Sequence, residues 1–90
     1  MKIAFDPVKD SVNRVKHGIS LALAEILFAE RYVTVTDDRF DYGERREIAF
    51  GFIRGRLFAC VFVDRKDERR VISLRKANQR EAIRYGEKIE

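Results

Sequence analysis

The sequence predicts an α+β domain: an antiparallel sheet with two N-terminal helices and a C-terminal helix. Three observations carry that prediction. Apolar residues recur at helical spacing near both ends of the chain. The stretch between them is rich in β-branched and aromatic residues that alternate with polar ones. Within that stretch, Arg54-Gly55 interrupts the alternation as a two-residue turn should.

The elements follow in order. Met1 to Phe5 reads as a short strand, and Asp6-Pro7 supplies an N-cap followed by the residue best tolerated in a first helical turn. In the helix that follows, Val8, Val12 and Val15 form one stripe and Lys9, Asn13 and Lys16 a neighbouring one. Gly18 ends this helix just after His17. Ser20 caps a second helix whose inward stripe is Leu21, Ala24, Leu27 and Phe28. Ala22, Leu23 and Ile26 make it apolar on several sides, so it is expected to be largely buried. Tyr32 to Thr36 reads as a strand, and Asp37-Asp38 opens a polar, Gly-containing connection through Glu44 that is long enough to move.

Arg46 to Asp64 is a hairpin whose register follows by counting outward from the turn. Ile53 pairs with Arg56, which sets Phe52 opposite Leu57, Phe50 opposite Ala59 and Ile48 opposite Val61. That uniformly apolar face is expected to be the core face. The other carries Ala49, Gly51, Phe58, Cys60 and Phe62. Pairing Asp64 with Arg69 across the loop 65–68 extends the count into a further strand. Val61 then meets Ile72, Ala59 meets Leu74, Phe62 meets Val71, Cys60 meets Ser73 and Phe58 meets Arg75, with Arg75 on the more open face. Asn78 and Glu81 form a capping-box variant at the start of the last helix. There Ala82, Tyr85 and Ile89 are an apolar stripe and Arg80, Arg84 and Lys88 a basic one.

Composition narrows the function. Ninety residues, 46% hydrophobic and 38% charged, suit a single domain over 1–90. Nineteen Lys and Arg against fifteen Asp and Glu leave a net charge of +4, which favours polyanionic or acidic partners. One cysteine excludes an internal disulfide, and without an apolar run of membrane length or a signal-peptide core the expected location is cytoplasmic. A lone His and a lone Cys argue against a metal site, Asp37, Asp38 and Asp41 lack EF-hand spacing, and no cofactor motif is present; no metal or cofactor is expected. The absence of a Gly-rich phosphate loop, a Cys pair or paired carboxylates argues against nucleotide hydrolases and zinc enzymes.

Arg75 is the leading candidate, because arginine offers a fixed fork of donors suited to phosphate; the plainer reading is a sheet-edge arginine whose stem covers Phe58. Arg80, Arg84 and Lys88 make a strip able to follow a phosphate backbone, or simply a solvated helix face. Tyr85 is a core lid, a stacking platform or a proton donor. Lys16 and His17 sit at a helix end, where they either complement the dipole or, through His17, move protons near neutral pH. Arg45 and Arg46 enter the first long strand and can reach phosphate. Cys60 reads as a small core residue.

Phe5-Asp6-Pro7-x-Lys9, Asn13, Lys16-His17-Gly18-Ile19-Ser20, Glu44-Arg45-x-x-x-Ala49-x-Gly51 and Ile72-Ser73-x-Arg75-Lys76-Ala77 together resemble the BrnT family of bacterial toxins. Their order and spacing cover nearly the whole chain. The resemblance implies a RelE-like fold and a ribonuclease that cleaves RNA and arrests translation. It also implies neutralisation by a BrnA-like antitoxin with its own DNA-binding region, so that operator DNA is a partner of the toxin-antitoxin complex. Lys16, His17, Arg45, Arg75 and Lys76 fall on the shared motifs, whereas Arg80, Arg84, Tyr85 and Lys88 rest on the helix reading. Cleavage of this kind needs no metal if one group takes the proton of the 2′-hydroxyl, cations stabilise the phosphorane and another group protonates the leaving oxygen. Arg75 with Arg45 or Arg80 would be the phosphate clamp, and His17 or Tyr85 the proton carrier. The alternative is a non-catalytic basic α+β module that binds a partner protein or nucleic acid.

Overall fold

A computed structural model of the chain, describing residues 1–39, 41 and 43–89, has α+β architecture. β1 (Lys2–Ala4) leads into α1 (Pro7–His17), a 3-10 turn over Leu21–Leu23, and α2 (Ala24–Ala29). β2 (Tyr32–Asp37), β3 (Arg46–Ile53), β4 (Arg56–Arg65) and β5 (Glu68–Lys76) follow, and α3 (Gln79–Ile89) closes the fold. The connection expected from Asp37 to Glu44 includes Phe40 and Tyr42, which lie outside the described residues, as does Glu90.

The strands form one sheet in the order β1-β5-β4-β3-β2. Its four long strands are antiparallel, but β1 lies parallel to β5, with Lys2 opposite Glu68 and Ala4 opposite Arg70. The sheet is therefore mixed, which corrects the antiparallel expectation. The β3–β4 register matches the count from the turn: Ile53 faces Arg56, Phe50 faces Ala59 and Ile48 faces Val61. Arg54 (φ 51°) and Gly55 (φ 80°) are both left-handed, as a turn that follows strand twist demands, so Arg54 occupies a conformation that favours Asn or Gly.

The next hairpin departs from the count. Asp64 does face Arg69, but the connection is tighter than expected, since Arg65 pairs with Glu68 around Lys66-Asp67. Past Phe62 opposite Val71, the next pair is Val61 with Ser73, so Ile72 is an extra residue in a β-bulge. Beyond it Cys60 faces Leu74, Ala59 faces Arg75 and Phe58 faces Lys76, each one place from the expected partner. A one-residue slip exchanges the faces, so Leu74 enters the core beside Cys60, while Arg75 turns to the opposite side.

Both faces of the sheet are covered. The larger apolar cluster joins Leu21, Leu27, Phe58, Cys60, Phe62, Val71 and Leu74 beneath the N-terminal helices. The smaller one joins Phe50, Leu57, Ala59 and Ile89, with Tyr85 packed against it, beneath α3. The face expected to be the core thus holds the smaller cluster, and the mixed face holds the larger. Gly51 makes this possible: a Cβ there would lie 2.8 Å from Cγ of Leu27, so only glycine lets α2 settle this closely on β3.

α1 is bounded as predicted. The Asp6 carboxylate accepts from the Val8 amide at 2.8 Å, and Gly18 closes the helix with φ 72°. Its valines, however, face solvent, with Val8 70%, Val12 58% and Val15 90% exposed. The inward side is polar. The buried Asn13 side chain donates to the carbonyls of Ile19 and Leu74, each at 2.9 Å, and accepts from the Leu74 amide at 3.1 Å. Because β1 pairs only with Glu68 to Arg70, the Asn13 amide stands in for a neighbouring strand farther along β5. Asp10 accepts from the Ser20 hydroxyl and the Leu21 amide, tying α1 to the next turn. The second helical segment covers the expected residues but opens as a 3-10 turn before α2; it buries Leu21, Ala24 and Leu27 and leaves Ala22 and Glu25 exposed.

Candidate active site

Arg75 stands where β5 runs into α3, on the face that α3 covers. Its Nη1 donates to Oε1 of Glu81 at 2.8 Å and its Nη2 to Oε2 at 2.9 Å, a fork-to-fork pair. Glu81 is itself held by the capping box, accepting from the Asn78 amide at 2.9 Å while Asn78 accepts from the Glu81 amide at 2.8 Å. One carboxylate therefore fixes both the start of α3 and the orientation of the guanidinium. The hydrogen bond to Arg75 holds the Glu81 carboxyl below its usual range, and the same bond raises Arg75, so the pair remains ionised. About a third of the Arg75 side chain stays exposed (33%).

More cations share this face. The charge of Arg39 acts on both Arg75 and Glu81, so its guanidinium lies within electrostatic reach of the pair. Arg39 is anchored on the buried carboxylate of Asp37, with contacts of 2.8 and 3.0 Å. By alternation Arg46, opposite Asp37, and Arg70, opposite Val63, point to the same side as Arg75. Arg70 donates to Glu68 at 3.1 Å. Beside Glu81 a cleft of about 230 Å³ has Val35, Ile48, Phe50 and Tyr85 as apolar walls and Arg80 and Arg84 at its rim.

The other sequence candidates divide by location. His17 ends α1 and lines a groove of about 220 Å³ between α1 and β5 with Lys16, Ile72 and Ser73. Burial, then the charges of Lys16 and Arg75, lower its pKa below 6.5, so the neutral imidazole is favoured at pH 7. The Tyr85 ring stacks on Phe50 with centroids 4.1 Å apart and planes 12° apart, which makes it a lid on the smaller core. Arg84 and Lys88 lie 5.6 and 5.9 Å from its centroid, and Arg80, Arg84 and Lys88 are all exposed. Lys76 alternates to the face opposite Arg75. Arg45 also goes elsewhere: it donates to the Thr36 hydroxyl at 3.2 Å, and Thr36 faces Glu47 on the side away from Arg46. A clamp of Arg75 with Arg45 does not form, whereas Arg80 lines the same cleft as Glu81, the carboxylate that Arg75 holds. Cys60 is fully buried and burial pushes its thiol up to about 12, which removes it as a nucleophile.

Arg39 and Arg70 were not singled out by sequence. Arg70 was within reach of the hairpin count, since Asp64 opposite Arg69 already implies Val63 opposite Arg70. Arg39 follows Asp37 by two residues in a segment that reads only as a polar loop. Among the described residues no three His, Cys, Asp or Glu side chains are grouped so as to hold a metal ion.

A clamped, half-buried arginine, with a further guanidinium and an imidazole in electrostatic reach, marks a basic α+β protein whose chemistry at this end of the sheet suits an anionic ligand. Over residues 5–81 the sequence matches the family described as "Ribonuclease toxin, BrnT, of type II toxin-antitoxin system", and the chain belongs to that family. It is accordingly a ribonuclease toxin, with RNA as its substrate and an antitoxin protein as its partner. Comparison with curated proteins found no match. No helix among the described residues is long and apolar enough to cross a membrane.

Proposed function

We propose that RNA is cleaved on the sheet face beside the start of α3, without a metal, by attack of the 2′-hydroxyl on the adjacent phosphorus. The observation that carries this reading is the fork-to-fork Arg75–Glu81 pair, because it presents a preoriented guanidinium where strand meets helix. Arg75 binds the scissile phosphate, with Arg39 and Arg80 adding positive charge as the phosphorane forms. Glu81 is a positioning residue. His17, neutral at pH 7, takes the 2′-hydroxyl proton. Tyr85, one helical turn beyond Glu81 on the face that α3 covers, carries a proton to the departing 5′-oxygen. Lys16, Arg84, Lys88 and, on the far face, Arg45 and Lys76 would contact RNA away from the cut.

The electron pair of the 2′-oxygen forms the new P–O bond, and the P–O5′ bond breaks to leave a 2′,3′-cyclic phosphate and a 5′-hydroxyl. The surrounding reading is that of a RelE-like toxin acting in the cytoplasm as a single domain and arresting translation. A BrnA-like antitoxin would neutralise it, and operator DNA would be bound by the complex. The test is the chemistry of the ends produced by purified toxin on RNA in the presence of EDTA. Cyclic phosphate and 5′-hydroxyl ends, lost in Arg75→Ala, are expected. Products with 5′-phosphate ends, or cleavage abolished by EDTA and restored by a divalent metal, would overturn the mechanism.

A further inference from the structure

The face of α1 that carries its valines is spent on nothing inside the molecule. Val8, Val12 and Val15 are exposed and separated by four and then three residues, the spacing with which a helix presents a seam to another helix. With the valines in the d, a and d positions of a heptad, Lys9 and Lys16 both occupy e positions beside the seam. Asp10, Asn13 and His17 occupy the positions turned toward the rest of the protein. The contacts agree with that rotation: Asn13 is buried against Leu74, and Asp10 bonds Ser20 and Leu21. On the Lys9 and Lys16 side, Val8 and Val12 continue into the groove that ends at Ile72 and Ser73.

We infer that this stripe is a docking seam for an amphipathic helix of the antitoxin, with apolar residues at heptad spacing and carboxylates placed to meet Lys9 and Lys16. A helix is favoured over an added strand because Asn13 already occupies the β5 edge beside the stripe. The lysines decide between partners. A second copy of this chain would bring two sets of e-position lysines together, whereas an acidic helix pairs with them. The inference rests on family membership, which supplies an antitoxin, and not on the catalytic assignment to the α3 face.

The experiment compares wild type with Val12→Glu/Val15→Glu and Lys9→Glu/Lys16→Glu, using the cognate antitoxin as probe. The mutated side chains are all exposed on a helix, so melting is expected to change little. Both double variants should bind the antitoxin at least 30-fold more weakly, and Val12→Glu/Val15→Glu, which alters no residue given a role toward RNA, should keep wild-type RNA cleavage. The lysine variant should also lose the salt dependence of binding. Independently of mutation, the Val12 and Val15 methyl resonances of wild-type toxin should shift when antitoxin binds. Wild-type affinity in both variants, with unmoved methyl signals, overturns the inference. So does a wild-type toxin that is dimeric alone and becomes monomeric in Val12→Glu/Val15→Glu while antitoxin affinity is retained, since the stripe would then join two copies. Loss of RNA cleavage by wild type itself would count against the proposed chemistry and leave this binding result readable.

Discussion

Arg69 and Arg75 lie six residues apart on β5, an even separation that would put them on one face of a regular strand. The bulge at Ile72 sends them to opposite faces, and their surroundings differ accordingly. Arg69 is absorbed into the larger core. It is chelated by Asp64 at 2.7 and 3.0 Å, donates to the Tyr32 hydroxyl at 3.0 Å, and lies 4.6 and 4.4 Å from the ring centroids of Phe28 and Phe62. Arg75 has one carboxylate partner, a second guanidinium near it, and a neutral imidazole within reach of its charge. The same side chain is thus structural where aromatic rings and an acid enclose it, and available where its partner is a helix cap at the surface.

The largest expected effect separates the two residues directly. Arg75→Ala should lower RNA cleavage by about 10²–10³-fold, the scale for losing a preorganised electrostatic contact to the transition state, while stability changes by about 1 kcal/mol or less. Arg69→Ala should do the reverse. Breaking a partly exposed bidentate pair and the cation–π contacts with Phe28 and Phe62 should cost about 1–3 kcal/mol of stability, with turnover per folded molecule little changed. Cleavage rate and thermal melting on both variants check the pair, and a destabilised Arg75→Ala with normal turnover when folded would erase the distinction.

Much of this contrast was hidden from the sequence for one physical reason. The segment Val71-Ile72-Ser73-Leu74 alternates acceptably in either register, because Ile72 and Leu74 are both apolar and a single extra residue leaves no mark in the pattern. The turn at Arg54-Gly55, by contrast, fixed its register, because every pair counted outward from it agreed with the observed one. The caps at Asp6, Gly18, Ser20 and Asn78 were equally legible, since each needs only its neighbours. The direction of α1 was not. Its valine stripe looks like a buried face until Asn13 is seen bonding to Leu74, sixty-one residues away in sequence. At the site, Arg75 could be named from its residue type and strand, but its partner Glu81 was visible only as a cap, and its neighbour Arg39 only as loop charge.

A smaller effect tests whether His17 belongs with Arg75. Its pKa is lowered from 6.5, first by burial and then by Lys16 and Arg75, so as a base it should be active at pH 7. Cleavage should fall about tenfold per pH unit once pH drops through that lowered value, and His17→Asn should lose both the rate and this limb of the profile. Linkage has the matching sign: neutral His17 is favoured in the folded protein, so its contribution to stability is present above 6.5 and lost as pH falls through the folded value. In Arg75→Ala one charge that depresses His17 is gone, and the limb should move to higher pH. A limb that stays in place would mean that another group is titrating.

The smallest effect belongs to Arg84→Ala, which removes the same charge as Arg75→Ala but from the exposed side of α3. Arg84 lies 5.6 Å from the Tyr85 centroid and rims the cleft beside Glu81, so it can meet an RNA backbone, but among the described residues no carboxylate orients it toward one phosphate. If it contributes only diffuse charge, its loss should weaken RNA binding severalfold and reduce the slope of log affinity against log salt by about 0.7, the value for one phosphate contact on a single strand. The cleavage rate at saturating RNA should be nearly unchanged, because an interaction made equally in ground and transition states alters KM and not kcat. Measuring both parameters across a salt series for Arg75→Ala and Arg84→Ala therefore tests position against charge. Equal losses of kcat in the two variants would reduce Arg75 to one more cation, and the Glu81 fork would then have to be read as a brace for α3.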